Sequence, residues 1–286
     1  MAVPLEESRA LANEERDLEQ IEIALLLEAV YRRYGFDFRN YAEASLKRRV
    51  WRRVHGENLR TVSGLTERLL HDPAVMERLL LDLSINVTAM FRDPSFYVAF
   101  RDKIVPALHT YPFTRIWCAG CSTGEEVYSL AILLHEEGVY ERTRIYATDI
   151  NENVLDAARA GVFPLDRMRQ YTENYSRGGG KREFSEYYVA AYEGARFSRS
   201  LSENVVFAQH NLAMDRAFNQ FNVIVCRNVL IYFDKSLQEH VHKLFYESLE
   251  MFGMLALGHK ESVAFTRQAE RYEPLDDVER IYRKIR

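Results

Sequence analysis

The chain has 286 residues, 47% hydrophobic and 28% charged, and a formal net charge of −4. That length buries a sizeable core and exceeds the usual single domain, and the mild acidity disfavours a nucleic-acid partner. No apolar run approaches the roughly 20 residues of a membrane span. Met1 to Gln20 is acidic where a secretory signal is basic and then apolar, so a cytoplasmic protein, with no membrane insertion, is expected.

Residues 1–90 read as a helical domain with segregated charge. Residues 1–30 carry eight acids against two arginines, whereas residues 31–60 carry nine basic residues against three acids. In LKRRVWRRV, Leu46, Val50 and Val54 recur at i, i+4, i+8 and predict an amphipathic helix. The surrounding Lys47, Arg48, Arg49, Arg52 and Arg53 form either a solvated basic face or a dock for an acidic partner. The aromatic set Tyr31, Tyr34, Phe36, Phe38 and Tyr41 is expected to pack this domain.

Arg115 to Asp149 lays out a strand, a turn of small residues from Gly120 to Gly124, a helix from Glu125 and a second strand ending in Asp149. This is a nucleotide-binding half of a doubly wound sheet. Backbone and ligand would meet at Ala119 and Gly120, helix N–H groups await an anion, and Asp149 can accept hydrogen bonds from ribose hydroxyls. Gly120-x-x-x-Gly124 matches neither the dinucleotide nor the P-loop glycine pattern, so a ligand with ribose but no phosphate, such as S-adenosylmethionine (SAM), fits better. The lone C-x-x-C at Cys118 to Cys121 has no second pair, and small residues packing under a ligand are a better account of it than zinc or redox chemistry. No metal is expected.

A helix should continue through Leu155, Ala158 and Val162, after which Pro164 and YTENYSRGGGKREF break the pattern. Lys181 to Leu201 suggests short strands, with Gly178, Gly179 and Gly180 as a flexible tip. Val205 to Ala208 reads as a buried strand and Phe221 to Cys226 as a further strand, and His210 as a structural histidine beside Asn211. The segment Ser236 to Glu250 has a helical core stripe, with His240 and His242 expected to be exposed. Final strands are expected at Met254 to Gly258 and Arg280 to Lys284, pairing as the antiparallel end of a mostly parallel sheet.

Four separated segments, INVTAMFRDP (Ile85 to Pro94), CSTGEEVYSLA (Cys121 to Ala131), FAQHNL (Phe207 to Leu212) and FNVIVCRNVLIYFD (Phe221 to Asp234), resemble the chemotaxis receptor methyltransferase family, CheR, in the family's order. The resemblance covers roughly Tyr31 to Ala264. It implies an α/β SAM-dependent methyltransferase fold with an N-terminal helical domain (1–90), a catalytic domain (91–286) and a small antiparallel β-subdomain inserted at about 176–202, which in some members grips a tethering peptide. It implies that Asn86, Thr88 and Arg92 face cofactor and active site, that Glu125 and Asp149 hold the methionine and ribose parts of SAM, and that Asn211, Leu212, Asn228 and Val229 surround the adenine. Arg92 and Tyr232 would lie nearest the methyl-transfer centre. Two positions depart from the pattern: Val127 replaces a usual Pro, and GHKES at Gly258 to Ser262 replaces a shorter G-x-S-E.

The implied reaction is methylation of glutamates on the acidic cytoplasmic helices of a chemoreceptor by a monomeric enzyme, yielding methyl esters and S-adenosylhomocysteine. A glutamate is already ionised at neutral pH, since its pKa is about 4.3, so orientation and dehydration replace a general base. An Arg fork and a Tyr hydroxyl suit that orienting task. The rival functions are methylation of another substrate and a non-catalytic SAM-binding scaffold.

Overall fold

The computed structural model describes residues 5–84, 87–192 and 194–286. The chain divides into two compact units, Met1–Ile85 with Tyr232–Leu237, and Asn86–Ile231 with Gln238–Arg286.

The first unit contains helices α1 (Leu5–Tyr34), α2 (Glu43–Gly56), α3 (Val62–His71) and α4 (Pro73–Leu83). Sequence sets the boundaries of the last two. The Thr61 side chain caps α3 by accepting from Gly64 N, and Asp72 caps α4 by accepting from Ala74 N ahead of Pro73 at the first helical position. The predicted stripe of α2 is buried, and Leu46, Val50 and Val54 pack in a core that includes Leu26, Val30, Leu65 and Leu79. The distant Tyr232–Leu237 joins this unit through backbone bonds from Ala42 N to Tyr232 O (2.8 Å) and Asp234 N to Asn40 O (2.9 Å), with the Phe233 ring edge-on to Tyr41.

The second unit has strands β1 (Thr114–Ala119), β2 (Thr143–Asp149), β3 (Val162–Phe163), β4 (Tyr188–Ala191), β5 (Gly194–Phe197), β6 (Val205–Gln209), β7 (Phe221–Cys226), β8 (Leu249–Leu257), β9 (Tyr272–Asp276) and β10 (Ile281–Lys284). Its helices are α5 (Pro94–Ala99), α6 (Val105–Leu108), α7 (Glu125–Glu136), α8 (Glu152–Ala160), α9 (Met168–Arg177) and α10 (Lys235–Ser248), whose residues up to Leu237 belong to the first unit. Seven strands form one sheet in the order β6-β2-β1-β7-β8-β10-β9, with β10 antiparallel to both neighbours. All six β7 residues are buried, as a central parallel strand covered on both faces requires. The six expected strands are present, and β8 and β10 pair antiparallel as predicted. They do not end the sheet, because β9 lies outside β10. A proline and two acids in YEPLD hide this strand from a hydrophobic pattern, and an edge position tolerates them.

The small sheet β3-β5-β4 is antiparallel. Several local expectations need correction. Helix α8 ends at Ala160 with Gly161 in left-handed backbone, so Val162, expected in the helix, begins β3. Strand β6, expected to be buried, is a partly exposed edge strand. The stretch read as breaking the helical pattern contains α9, whose Met168, Tyr171 and Tyr175 are buried at i, i+3, i+7. Two of the three glycines expected as a flexible tip are closely packed: a Cβ on Gly180 would overlap the Tyr175 ring, and one on Gly178 would lie 3.3 Å from Phe91 Cδ1, whereas Gly179 is exposed. His242 is 1% exposed, and burial pushes its pKa down to about 4.

Candidate active site

The turn between β1 and α7 places Gly120 at φ +77° and Gly124 at φ +96°. Gly120 N and Cys121 N both donate to Thr148 O, at 2.8 and 2.9 Å, which folds the turn against the end of β2. A Cβ on Gly120 would stand 2.5 Å from Val229 Cγ2, and one on Gly124 2.9 Å from Ala158 Cβ. Both glycines therefore meet a demand of backbone and packing before any ligand arrives. The Asp149 carboxylate accepts from Ser122 N (2.9 Å) and Asn151 N (3.1 Å) through different oxygens and takes a further backbone hydrogen bond from Ile150, so backbone N–H groups fix its orientation at the end of β2. Glu125, the first residue of α7, is 6% exposed and accepts from Thr123 Oγ1 at 2.6 Å. Burial raises the pKa of both carboxyls, against the hydrogen bonds that lower it.

Beyond β7 the chain turns through Asn228 at φ +61°. This loop is built on Glu261, which sequence reasoning passed over. The Glu261 carboxylate accepts from Gly258 N (2.7 Å), Val229 N (2.8 Å), Asn228 N (2.9 Å) and Ile231 N (3.3 Å). The sequence offers one signal for it, an acid three residues after Gly258, the glycine that follows the last, buried residues of β8.

Arg92 sits between two non-glycine residues in left-handed backbone, Phe91 at φ +50° and Asp93 at φ +56°. Phe91 N donates to Ser129 Oγ (2.9 Å), Asn174 Nδ2 donates to Met90 O (3.0 Å), and Arg92 Nη1 donates to Val87 O (2.7 Å). Thr88 is partly buried nearby in the sequence, and Asn86 lies outside the described residues.

After β6, His210 N donates to Asp149 O. The His210 ring packs on Trp117 and Phe218, and burial lowers its pKa. Asn211 Oδ1 accepts from Ala213 N, and Leu212 is buried. So Ala119, Gly120, Glu125, Asp149, Asn211, Leu212, Asn228, Val229 and Arg92 all belong to the α/β unit, whereas Tyr232 belongs to the helical unit, where the Arg49 guanidinium lies 5.2 Å from its ring. Arg49 is 7% exposed and donates to Leu83 O. Lys47 pairs with Glu19, Arg53 with Asp82 and Glu57, and Arg52 with Asp82 from an exposed position; Arg48 is exposed. Among the described residues no group of three or more metal-ligating side chains occurs.

A mostly parallel seven-stranded sheet with one reversed strand, a left-handed glycine turn after β1 and an acid ending β2 define the SAM-dependent methyltransferase class. Residues 86–277 match the family model described as the SAM-binding domain of CheR methyltransferase, and residues 21–84 match its all-alpha domain. The chain belongs to the CheR methyltransferase family. It is 53% identical over 264 residues to Cher3 of Pseudomonas putida, a protein named for a methyltransferase, covering 92% of this chain and 97% of that one. It is 31% identical to chemotaxis protein methyltransferase 2 of Pseudomonas aeruginosa (89% and 91% covered) and 30% identical to the chemotaxis protein methyltransferase of Salmonella typhimurium (83% and 82%).

Proposed function

We propose that the protein methylates glutamate side chains on the acidic cytoplasmic helices of chemotaxis receptors, forming glutamyl methyl esters and S-adenosylhomocysteine. The observation that carries this reading is the strained turn that presents Arg92, held by Ser129, Asn174 and Arg227 in the same unit as Glu125 and Asp149. Backbone strain outside glycine persists only where the surroundings enforce it, and it concentrates at working sites.

SAM supplies a methyl group on a sulfonium. Asp149 would hold the ribose hydroxyls through its carboxylate, Glu125 the methionine part, and Asn211, Leu212, Asn228 and Val229 the adenine, with Asn86, Thr88, Ala119 and Gly120 completing the contact. The acceptor glutamate is ionised at neutral pH, so the protein contributes alignment and exclusion of water in place of a base. Arg92 and Tyr232 would orient that carboxylate. In the helical unit, Arg48 and Arg52 with Lys47 offer the positive charge that an acidic receptor helix would meet, whereas Arg49 and much of Arg53 are turned inward. Incubation with SAM and a receptor cytoplasmic fragment, followed by mass-spectrometric mapping, tests the reading. Methylation on glutamates, reduced at least tenfold by Arg92→Ala, is expected; an unmodified receptor rejects it.

A further inference from the structure

Arg227, the first residue after β7, has a side chain only 2% exposed. Its Nη1 donates to Glu126 Oε1 at 2.8 Å, and its Nη2 donates to Asp93 Oδ2 at 2.8 Å and to the backbone oxygen of Arg92 at 3.2 Å. The guanidinium lies 4.0 Å from the Phe96 ring centroid, a cation–π contact that fixes its plane. Its Nε is buried with no acceptor among the described residues.

This arrangement is a poor device for stability alone. A buried ion pair gains little net free energy over well-packed apolar groups, and an unpaired buried donor costs about 1–3 kcal/mol. Position is what it secures. The acceptors come from α7 and from the Arg92–Asp93 turn, so one rigid fork ties the turn to the helix that begins with Glu125. Non-glycine residues at positive φ cost of order 1–3 kcal/mol each and need external restraint. Ser129 and Asn174 restrain the turn at Met90 and Phe91, and Arg227 restrains it at Arg92 and Asp93.

We propose that Arg227 is a positioning residue for methyl transfer: bridging Glu126 and the Arg92–Asp93 turn, it sets the direction in which the Arg92 side chain leaves the backbone. The proposal rests on the reading of Arg92 as a residue of the transfer centre. Removing the restraint should therefore matter only while Arg92 is there to be positioned.

A double-mutant cycle makes that distinction. Arg227→Lys keeps the charge, but one ammonium cannot reproduce the fork. The variants Arg227→Lys, Arg92→Ala and their combination are compared for kcat and KM on a receptor fragment, S-adenosylhomocysteine affinity and thermal midpoint. Arg227→Lys alone should lower kcat at least tenfold; placed on Arg92→Ala it should cost less than twofold, although the loss of thermal midpoint is the same in both backgrounds. Equal factors in both backgrounds, or an unchanged kcat, overturn the proposal. If the wild type binds S-adenosylhomocysteine but leaves the receptor unmodified, the receptor reading fails by itself, and the cycle is decided on affinity, where coupling supports Arg227 and additivity overturns it. Should Arg227→Lys fail to fold, Asp93→Asn frees the turn with the arginine in place; it must show the same dependence on Arg92, and wild-type kcat in Asp93→Asn counts against the proposal.

Discussion

Glu261 shows how one side chain can build a binding loop that it never contacts as a ligand would. Its carboxylate gathers the amides of Gly258, Asn228, Val229 and Ile231, so the residues proposed to surround adenine are spaced by an acceptor in another segment. A hydrogen bond to a charged group contributes about 1.5–3 kcal/mol. Glu261→Gln, which swaps one acceptor oxygen for a donor facing N–H groups, should lower S-adenosylhomocysteine affinity at least tenfold by calorimetry and reduce the thermal midpoint. An unchanged affinity would mean that the loop holds its shape by other means. Glu125 provides a pH test. Burial lifts its folded pKa above the unfolded value of about 4.3, so its contribution to stability is fully present below that value and is lost as pH rises through the folded pKa. Relative to Glu125→Gln, the wild type should gain thermal midpoint as pH falls from about 7 to about 4. A gap that does not move with pH would contradict this direction.

Among the elements, the two turns that follow β1 and β7 interlock through Gly120 and Val229. A methyl group at Gly120 meets both a left-handed φ and the Val229 side chain. Overpacking of this kind typically costs 1–3 kcal/mol. Gly120→Ala should therefore destabilise by about that much in a denaturant titration, and Val229→Ala should recover part of the loss; no recovery would leave backbone strain as the sole cause. The central strands were legible because they are short apolar runs between turn residues, as in FNVIVC, whereas the edge strand YEPLD was not. Helix α9 was not, since its buried face is two tyrosines and a methionine in an otherwise polar segment, next to glycines that resemble a loop. Asp149 and Glu125 were legible from a local strand–turn–helix pattern. Arg227, Glu126 and Glu261 were not, because apart from the Glu261–Gly258 bond their role lies in pairings across 30 to 135 positions that no local period records.

For the whole molecule, charge segregation remains after folding but is partly neutralised within the helical unit. Glu19 of α1 receives Lys47 and the Trp51 indole N–H, while Glu28 holds Arg32 and Arg39. No pattern in the sequence announced that Tyr232–Leu237 folds with residues forty positions from the start, since backbone bonds make that join. The docking proposal thus narrows to the exposed Arg48 and Arg52. Replacing both with Glu should weaken binding to a receptor fragment at least tenfold and flatten its dependence on salt, because exposed charges are screened over roughly 8–10 Å at physiological ionic strength. Affinity and salt slope equal to those of the wild type would place the receptor contact elsewhere. The central claim concerns the bond that is made, and alkali reads that bond directly. Receptor fragment labelled by the protein from SAM carrying a radioactive methyl group should release its label as methanol in base, as a glutamyl ester does; label that survives base would mean methylation of a different group and would contradict the account.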